Sequence, residues 1–320
     1  MLITTALWAC ATATVDQSTH AIDDPVVEEP STWAYEADPE PVPTLDLDDV
    51  AQAVEELVDK VLETNASPVL FGYDSVMLSS DDYCPYAYAY EDFSGPGLDS
   101  TLWYGGCQTG TGAVFDGYAF HLVYDDYYVA EYDLTYDGVY IFGQLEIIDD
   151  RGTTFRAGGL AYAMEGHTGS DTETPIELHQ SIVSGTFSWD GDEGTSWLST
   201  ELLPDLTLYS YWWPDYDSGY IYLHGGASGL GGTVDTVVLD EIQIADAALG
   251  WCDKEPYGQA SVRDDDGNWY DVVYDGSTWE APALGDGTCD GCGAVSFRGT
   301  YMGEACSDFS PLVGWENRPW

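Results

Sequence analysis

The stretch Val262-Arg-Asp-Asp-Asp-Gly-Asn-Trp-Tyr-Asp-Val-Val273 decides the reading of the fold. On either side of Asp266-Gly267, β-branched or aromatic residues alternate with polar ones, the two-residue period of a strand with one buried face. Asp-Gly between two such runs predicts a hairpin, because a two-residue type I′ turn needs positive φ at both central positions. The dipeptide occurs seven times, beginning at residues 116, 137, 190, 266, 275, 286 and 290. The same alternation appears in Tyr86, Tyr88 and Tyr90, and strands are predicted over 139–148, 206–212, 220–223 and 234–244. About ten to fourteen strands follow, mostly antiparallel neighbours. The expected fold is all-β, an antiparallel β-sandwich of jelly-roll type whose stacked sheets bury the apolar faces.

Upstream the period changes. Leu47, Val50, Val54, Leu57, Val58, Val61 and Leu62 recur at steps of three and four, which predicts an amphipathic helix over 46–64. Asp46 or Asp48 is its expected cap, and its apolar face is expected to pack on the sheet. The segments read as a leader (1–10), an acidic proline-rich tether (11–43), the helix (44–68), the β-sandwich (69–250) and a cysteine-rich β module (251–320). That last segment is either separate or an extension of the sandwich. The tether holds prolines 25, 30, 39, 41 and 43 among acids, a composition that extends a chain.

The charge is extreme: 58 Asp and Glu against 7 Lys and Arg, a formal net charge of −51. Such a field repels phosphate backbones, so nucleic acid is excluded as a partner. It attracts cations and suits a solvated, salt-adapted surface. No apolar run reaches the roughly 20 residues of a spanning helix. Contact with a membrane is therefore expected only through a lipid anchor. Leu7-Trp8-Ala9-Cys10 resembles a bacterial lipobox, which would make Cys10 the lipidated residue. It lacks a basic leader and has a short apolar stretch, both of which a misassigned start codon would explain.

Seven cysteines give an odd tally. Setting Cys10 aside leaves Cys84, Cys107, Cys252, Cys289, Cys292 and Cys306 as disulfide candidates. Their segregation along the chain suggests Cys84–Cys107, with three pairings open among the other four. Cys289-Asp-Gly-Cys292 lacks the second close pair of a zinc knuckle and the following helix of a redox motif, so structural disulfides in an exported protein fit best.

Signatures of catalysis are missing. There is no His-Glu-x-x-His, no Gly-x-Ser-x-Gly and no phosphate-cradling loop with lysine. Asp217-Ser-Gly219 has no second copy and reads as a turn. No catalytic residue and no metal ligand is assigned. Calcium is the most reasonable ion, yet Asp264-Asp-Asp-Gly-Asn268 is out of register with an EF-hand. The densest aromatic cluster, Tyr209-Ser-Tyr-Trp-Trp-Pro-Asp-Tyr216, nominates Tyr211, Trp212, Trp213 and Tyr216 as ligand-binding residues. Rings with polar edges beside carboxylates suit the stacking of sugars. Trp212 and Trp213 must face opposite sides of a strand.

Two resemblances bear on function. The Cys10 start, the acidic tether, the Asp-rich helix, Cys84-Pro85, Trp103-x-x-x-Cys107 and the closing Cys289-x-x-Cys292 resemble uncharacterised acidic surface lipoproteins of myxobacterial type. That implies an envelope location, lipid-anchored at the cell surface. Asp92-Phe93, Leu98-Asp99 and Trp103 resemble the opening strand of concanavalin-like sandwiches, and Asp240-Glu-Ile-Gln-Ile244 with Ala247-Ala-Leu249 resembles the closing strand of laminin-G-like ones. This second resemblance, over 91–249, implies glycan or matrix binding, often with calcium. The expected function is a non-enzymatic surface binding or adhesion module for a polysaccharide or surface glycan. The alternatives are a structural envelope protein with an ion-binding acidic surface and a carbohydrate-active hydrolase. Oligomeric state is left open.

Overall fold

The structure is a computed structural model. It describes residues 41–64, 76, 84, 86–89, 98–168, 176–191, 194–214, 218–231, 233–247, 256–276 and 290–315. Cys10, Tyr216, Cys252 and Cys289, and almost all of the expected tether, lie outside the described residues. Val42–Trp320 forms one compact unit.

The helix α1 spans Leu47–Thr64. Asp46 caps it: its Oδ1 accepts the backbone N–H groups of Asp48 and Asp49, and its own N–H donates to Asp49 Oδ2, all at 3.0 Å. These bonds satisfy donors that the first turn would otherwise leave orphaned. Val50, Val54, Leu57 and Val58 are buried, as the apolar spacing requires.

The strands are β1 (Tyr86–Ala89), β2 (Leu98–Gln108), β3 (Val114–Val129), β4 (Leu134–Ile148), β5 (Thr154–Thr168), β6 (Glu177–Gly191) and β7 (Gly194–Ser199). Then come β8 (Leu206–Trp213), β9 (Ser218–Gly231), β10 (Val234–Ala247), β11 (Tyr257–Asp264), β12 (Trp269–Asp275), β13 (Cys292–Phe297) and β14 (Thr300–Cys306). All fourteen belong to one antiparallel sheet, and nearly every strand pairs with its neighbour in sequence. The all-β, sandwich-like expectation holds. The jelly-roll order of connections is replaced by a meander, because short connections join antiparallel neighbours and leave no long crossover. β10 pairs with β11 from Val234↔Asp264 to Gln243↔Tyr257, so the C-terminal strands extend the same sheet.

One departure from the meander matters for the site. β7 and β8 both lie between β6 and β9. β7 pairs with the 186–191 part of β6 and β8 with its 177–183 part, so two short strands share one strand position end to end. The break falls at Thr200, whose Oγ1 accepts the Gly185 N–H at 2.7 Å. Three glycines also line up here: Gly143, Gly159 and Gly185 are register partners across β4, β5 and β6. A Cβ on Gly159 would lie 2.0 Å from the Ser184 carbonyl oxygen, and the φ of +150° disfavours a side chain there. Such glycine rows allow backbones to approach and a sheet to bend.

The inner face carries Phe115, Ala119, Ile141, Leu145, Phe187, Leu208, Leu223, Val262 and Val295, which join the apolar residues of α1 in one core. Lys60 Nζ donates to the Trp197 carbonyl on β7 at 2.9 Å, Ser307 Oγ donates to the Ala51 carbonyl at 3.3 Å, and the Asp308 N–H donates to Glu55 at 2.8 Å. The helix thus packs on the sheet, as its face predicted.

The hairpin at 262–273 is present as β11–β12, with a different turn. Asp264 N–H donates to the Asn268 carbonyl and Gly267 N–H to the Asp264 carbonyl, and within the turn Gly267 alone has positive φ, at 84°. That is a four-residue connection, Asp265–Asn268, with a left-handed glycine at its third position, not a type I′ pair. The two-residue turn with both φ positive occurs instead at Arg298-Gly299 between β13 and β14. Asp116-Gly117 and Asp137-Gly138 correct the sequence reading more sharply: they lie inside β3 and β4, not in turns.

Two disulfides are described. Cys84–Cys107 is the bond that segregation suggested. Cys292–Cys306 joins residues directly opposite each other on β13 and β14. Cys292 is thereby taken out of any zinc or redox pair with Cys289.

Candidate functional site

Along β8, Leu206, Leu208 and Ser210 are buried on the inner side, while Thr207, Tyr209, Tyr211 and Trp213 alternate onto the outer side and are half-buried. Antiparallel pairing with β9 sets Tyr209 opposite Tyr222, Tyr211 opposite Tyr220 and Trp213 opposite Ser218. Five rings therefore gather on one face. Tyr209 and Tyr222 stack at 4.7 Å with 11° between planes. Tyr211 meets both edge-on, at 5.5 and 6.1 Å, and Trp213 meets Tyr220 edge-on at 5.7 Å. Cross-strand aromatic pairs of this kind stabilise a sheet by about 0.5–1 kcal/mol each. Gln243 on β10 donates from Nε2 to the Tyr222 hydroxyl at 2.9 Å, which fixes that ring's polar end.

The electrostatics follow from burial and acid. Desolvation, then the neighbouring Tyr211, then Glu241 push the Tyr209 phenol above its ordinary range. Burial pushes Tyr220 up to about 12. Glu241 is exposed and stands at a break in register of β10, with φ of +50°. Asp240 beside it is also exposed and lies 4.0 Å from His224 Nδ1.

A second ring cluster lies on the same outer face. Tyr124, Tyr127 and Tyr136 meet at 5.2–5.5 Å across β3 and β4. Desolvation and mutual repulsion of their phenols push Tyr136 up to about 12 and Tyr162 higher still. Leu178, Gln180 and Ile182 of β6 lie between the two clusters in register. From β3 to β9 this face crosses six strand positions, about 24 Å at the usual spacing between strands.

The opposite side of β4–β6 has a polar cavity of about 270 Å³. Asp137, Glu165 and His179 form one rung across the three strands, and Thr135, His167 and Glu177 form the next. His179 Nδ1 is buried with no hydrogen-bond partner among the described residues, and its ring meets buried Trp315 edge-on at 6.4 Å. Among the described residues, no three His, Cys, Asp or Glu side chains are arranged to hold a metal ion. The oxygen-rich turn that was out of register with a calcium loop is held by its own hydrogen bonds. The Asp264 carboxylate accepts from Thr44 Oγ1 and from both nitrogens of Asn268.

Of the four nominated ligand residues, Tyr211 and Trp213 join the platform. Trp212 turns to the other face, opposite Glu177, as strand geometry demands. Tyr216 lies outside the described residues. The sequence reading missed Tyr209, Tyr220, Tyr222 and Gln243 as members. The signal for three of them was available, because a hairpin centred on residues 214–217 places Tyr209 beside Tyr222. The acid–histidine cavity gave no local signal, since it depends on the register of three long strands. No family model matches the chain, and no curated protein or solved structure matches it.

Proposed function

We propose that this chain is an exported surface protein, lipid-anchored at Cys10, that binds a polysaccharide or surface glycan on the outer face of β8 and β9. The observation that carries the reading is the platform of Tyr209, Tyr211, Trp213, Tyr220 and Tyr222. Its rings are preordered by one another, so stacking a sugar on them costs little side-chain entropy. Phenol hydroxyls and the Gln243 amide supply hydrogen bonds at the ring edges. The disulfides support an oxidising compartment. The formal charge of −51 disfavours nucleic acid and anionic membranes as partners.

The test is titration calorimetry of the purified chain against a panel of neutral, basic and acidic polysaccharides, with and without calcium. At least one neutral or basic glycan is expected to bind, and Trp213→Ala and Tyr222→Ala are each expected to weaken that binding tenfold or more. A folded protein that binds no glycan on the panel, or whose binding survives both substitutions, refutes the reading.

A further inference from the structure

The platform is bordered by a distorted acidic segment. In β10 the register with β9 shifts between Leu239 and Ile242, and the register with β11 shifts between Asp240 and Gln243. Both irregularities fall on Asp240-Glu241, and Glu241 adopts a φ of +50°, a conformation that residues with a Cβ seldom adopt. Bulges of this kind re-aim side chains and recur beside binding sites. Strained backbone persists where the surroundings hold it, and it clusters at functional positions. Here the bulge leaves both carboxylates exposed, with Glu241 two residues along β10 from Gln243, whose amide holds the Tyr222 hydroxyl at 2.9 Å.

No Lys or Arg among the described residues pairs with Asp240 or Glu241. Among the described residues the ion-pair neighbour of Asp240 is His224, at 4.0 Å, and the Asp240 side chain is largely exposed. Four half-buried rings packed around buried Tyr220, and edged by two carboxylates, form a surface that fits a cation held against aromatic rings. The same arrangement opposes uronic acids, sulfates and phosphates.

Resting on the glycan-binding reading above, we infer that the Asp240–Glu241 bulge is a specificity lip that selects sugars bearing a free amine. A glucosamine-type residue would stack on Tyr209 and Tyr222 and direct its ammonium group to Glu241, with Asp240 adding a second charge. Gln243 and the phenols make neutral contacts and do not discriminate.

The experiment compares β-linked glucosamine oligomers with the same oligomers fully N-acetylated, at pH 6.0, where the sugar amine is protonated, in 0.05 and 0.5 M NaCl. The variants are Glu241→Gln, Asp240→Asn/Glu241→Gln and Tyr222→Ala, each checked for fold by circular dichroism. The wild type is expected to bind the amine form at least tenfold more tightly. The double variant should bind both forms alike, and Tyr222→Ala should weaken both. A contact-based preference survives 0.5 M salt at several-fold, whereas attraction by the net charge alone does not. Equal wild-type binding of the two forms overturns the lip and leaves the platform reading standing. A preference that persists in the double variant, or vanishes in salt, also overturns it. Binding of neither form, nor of any other glycan, overturns the platform reading itself.

Discussion

His121 gives a quantitative prediction for acid stability. It lies on the inner face of β3, two residues from buried Ala119 and directly opposite buried Ile141. Desolvation by burial lowers its pKa from 6.5 to about 4. The unfolded chain takes up a proton on this residue near pH 6.5, whereas the folded chain does so only near pH 4. Between those values the unfolded state binds more protons, so stability rises with pH across that window. The contribution is fully present above about pH 6.5 and is lost as the pH falls toward 4. The gap corresponds to roughly 3 kcal/mol, an upper figure because the side chain retains some exposure. Urea denaturation followed by tryptophan fluorescence at pH 7.5, 5.5 and 4.5 measures it, with His121→Gln as the comparison. Carboxylates also titrate in this range, but they are common to both proteins and cancel in the difference. The variant starts less stable at pH 7.5, since a buried amide replaces a fitted imidazole, and the gap should close by about 2–3 kcal/mol on acidification. Parallel curves for the two proteins would refute the claim that His121 is held neutral by burial.

Two further pairs of substitutions probe the frame of the fold. Asp264→Ala removes the acceptor for Thr44 and Asn268 and should cost about 2–4 kcal/mol in denaturant midpoint experiments, against about 1 kcal/mol for Thr44→Val, which deletes one of those bonds. Desolvation raises the Asp264 pKa, but hydrogen bonds from Thr44, Asn268 and the backbone together outweigh it and leave the carboxyl below its usual range. Its contribution should therefore persist to lower pH than an ordinary aspartate's. Gly159→Ala should cost at least about 3 kcal/mol or abolish folding, because the new Cβ meets backbone atoms of Ser184 and Gly185 at 2.0–2.8 Å. Gly110→Ala, with nothing within 4 Å, should stay within about 0.5 kcal/mol by thermal melting.

What the sequence revealed was local. The apolar steps of α1, the alternation around Asp266-Gly267 and the isolation of Cys84 and Cys107 from the other cysteines each concern residues close in the chain. Asp-Gly misled at 116 and 137 because glycine serves two purposes: it turns a chain, and it lets strands approach where no side chain fits. Reading both as turns cuts β3 and β4 into pieces, and the 15- and 16-residue strands disappear. The C-terminal cysteines had three equivalent pairings until the register of β13 and β14 set Cys292 opposite Cys306. The cavity rungs from Asp137 to His179 needed two successive registers, which no single segment encodes. The platform lies between these extremes. Its β8 half was legible as a cluster, while its β9 half required carrying the hairpin register through.

The charge and the platform constrain each other. Counted one for one, the 7 basic residues leave 51 of the 58 acids over. The described arginine pairs are themselves exposed: Arg156 holds Glu146 and Asp190 at 2.7 and 2.9 Å, and Arg263 holds Asp235 at 3.2 Å. Such pairs contribute little, so the fold rests on its core and its ladder while the surface stays anionic. At physiological salt that field is screened beyond about 8 Å, so it cannot by itself give a ligand a defined pose. The rings, held at 4.7–6.1 Å from one another, have fixed positions that salt does not screen. A cationic sugar would be gathered by the field at low salt and held by rings and bulge at any salt, and the salt dependence of its affinity separates those two roles.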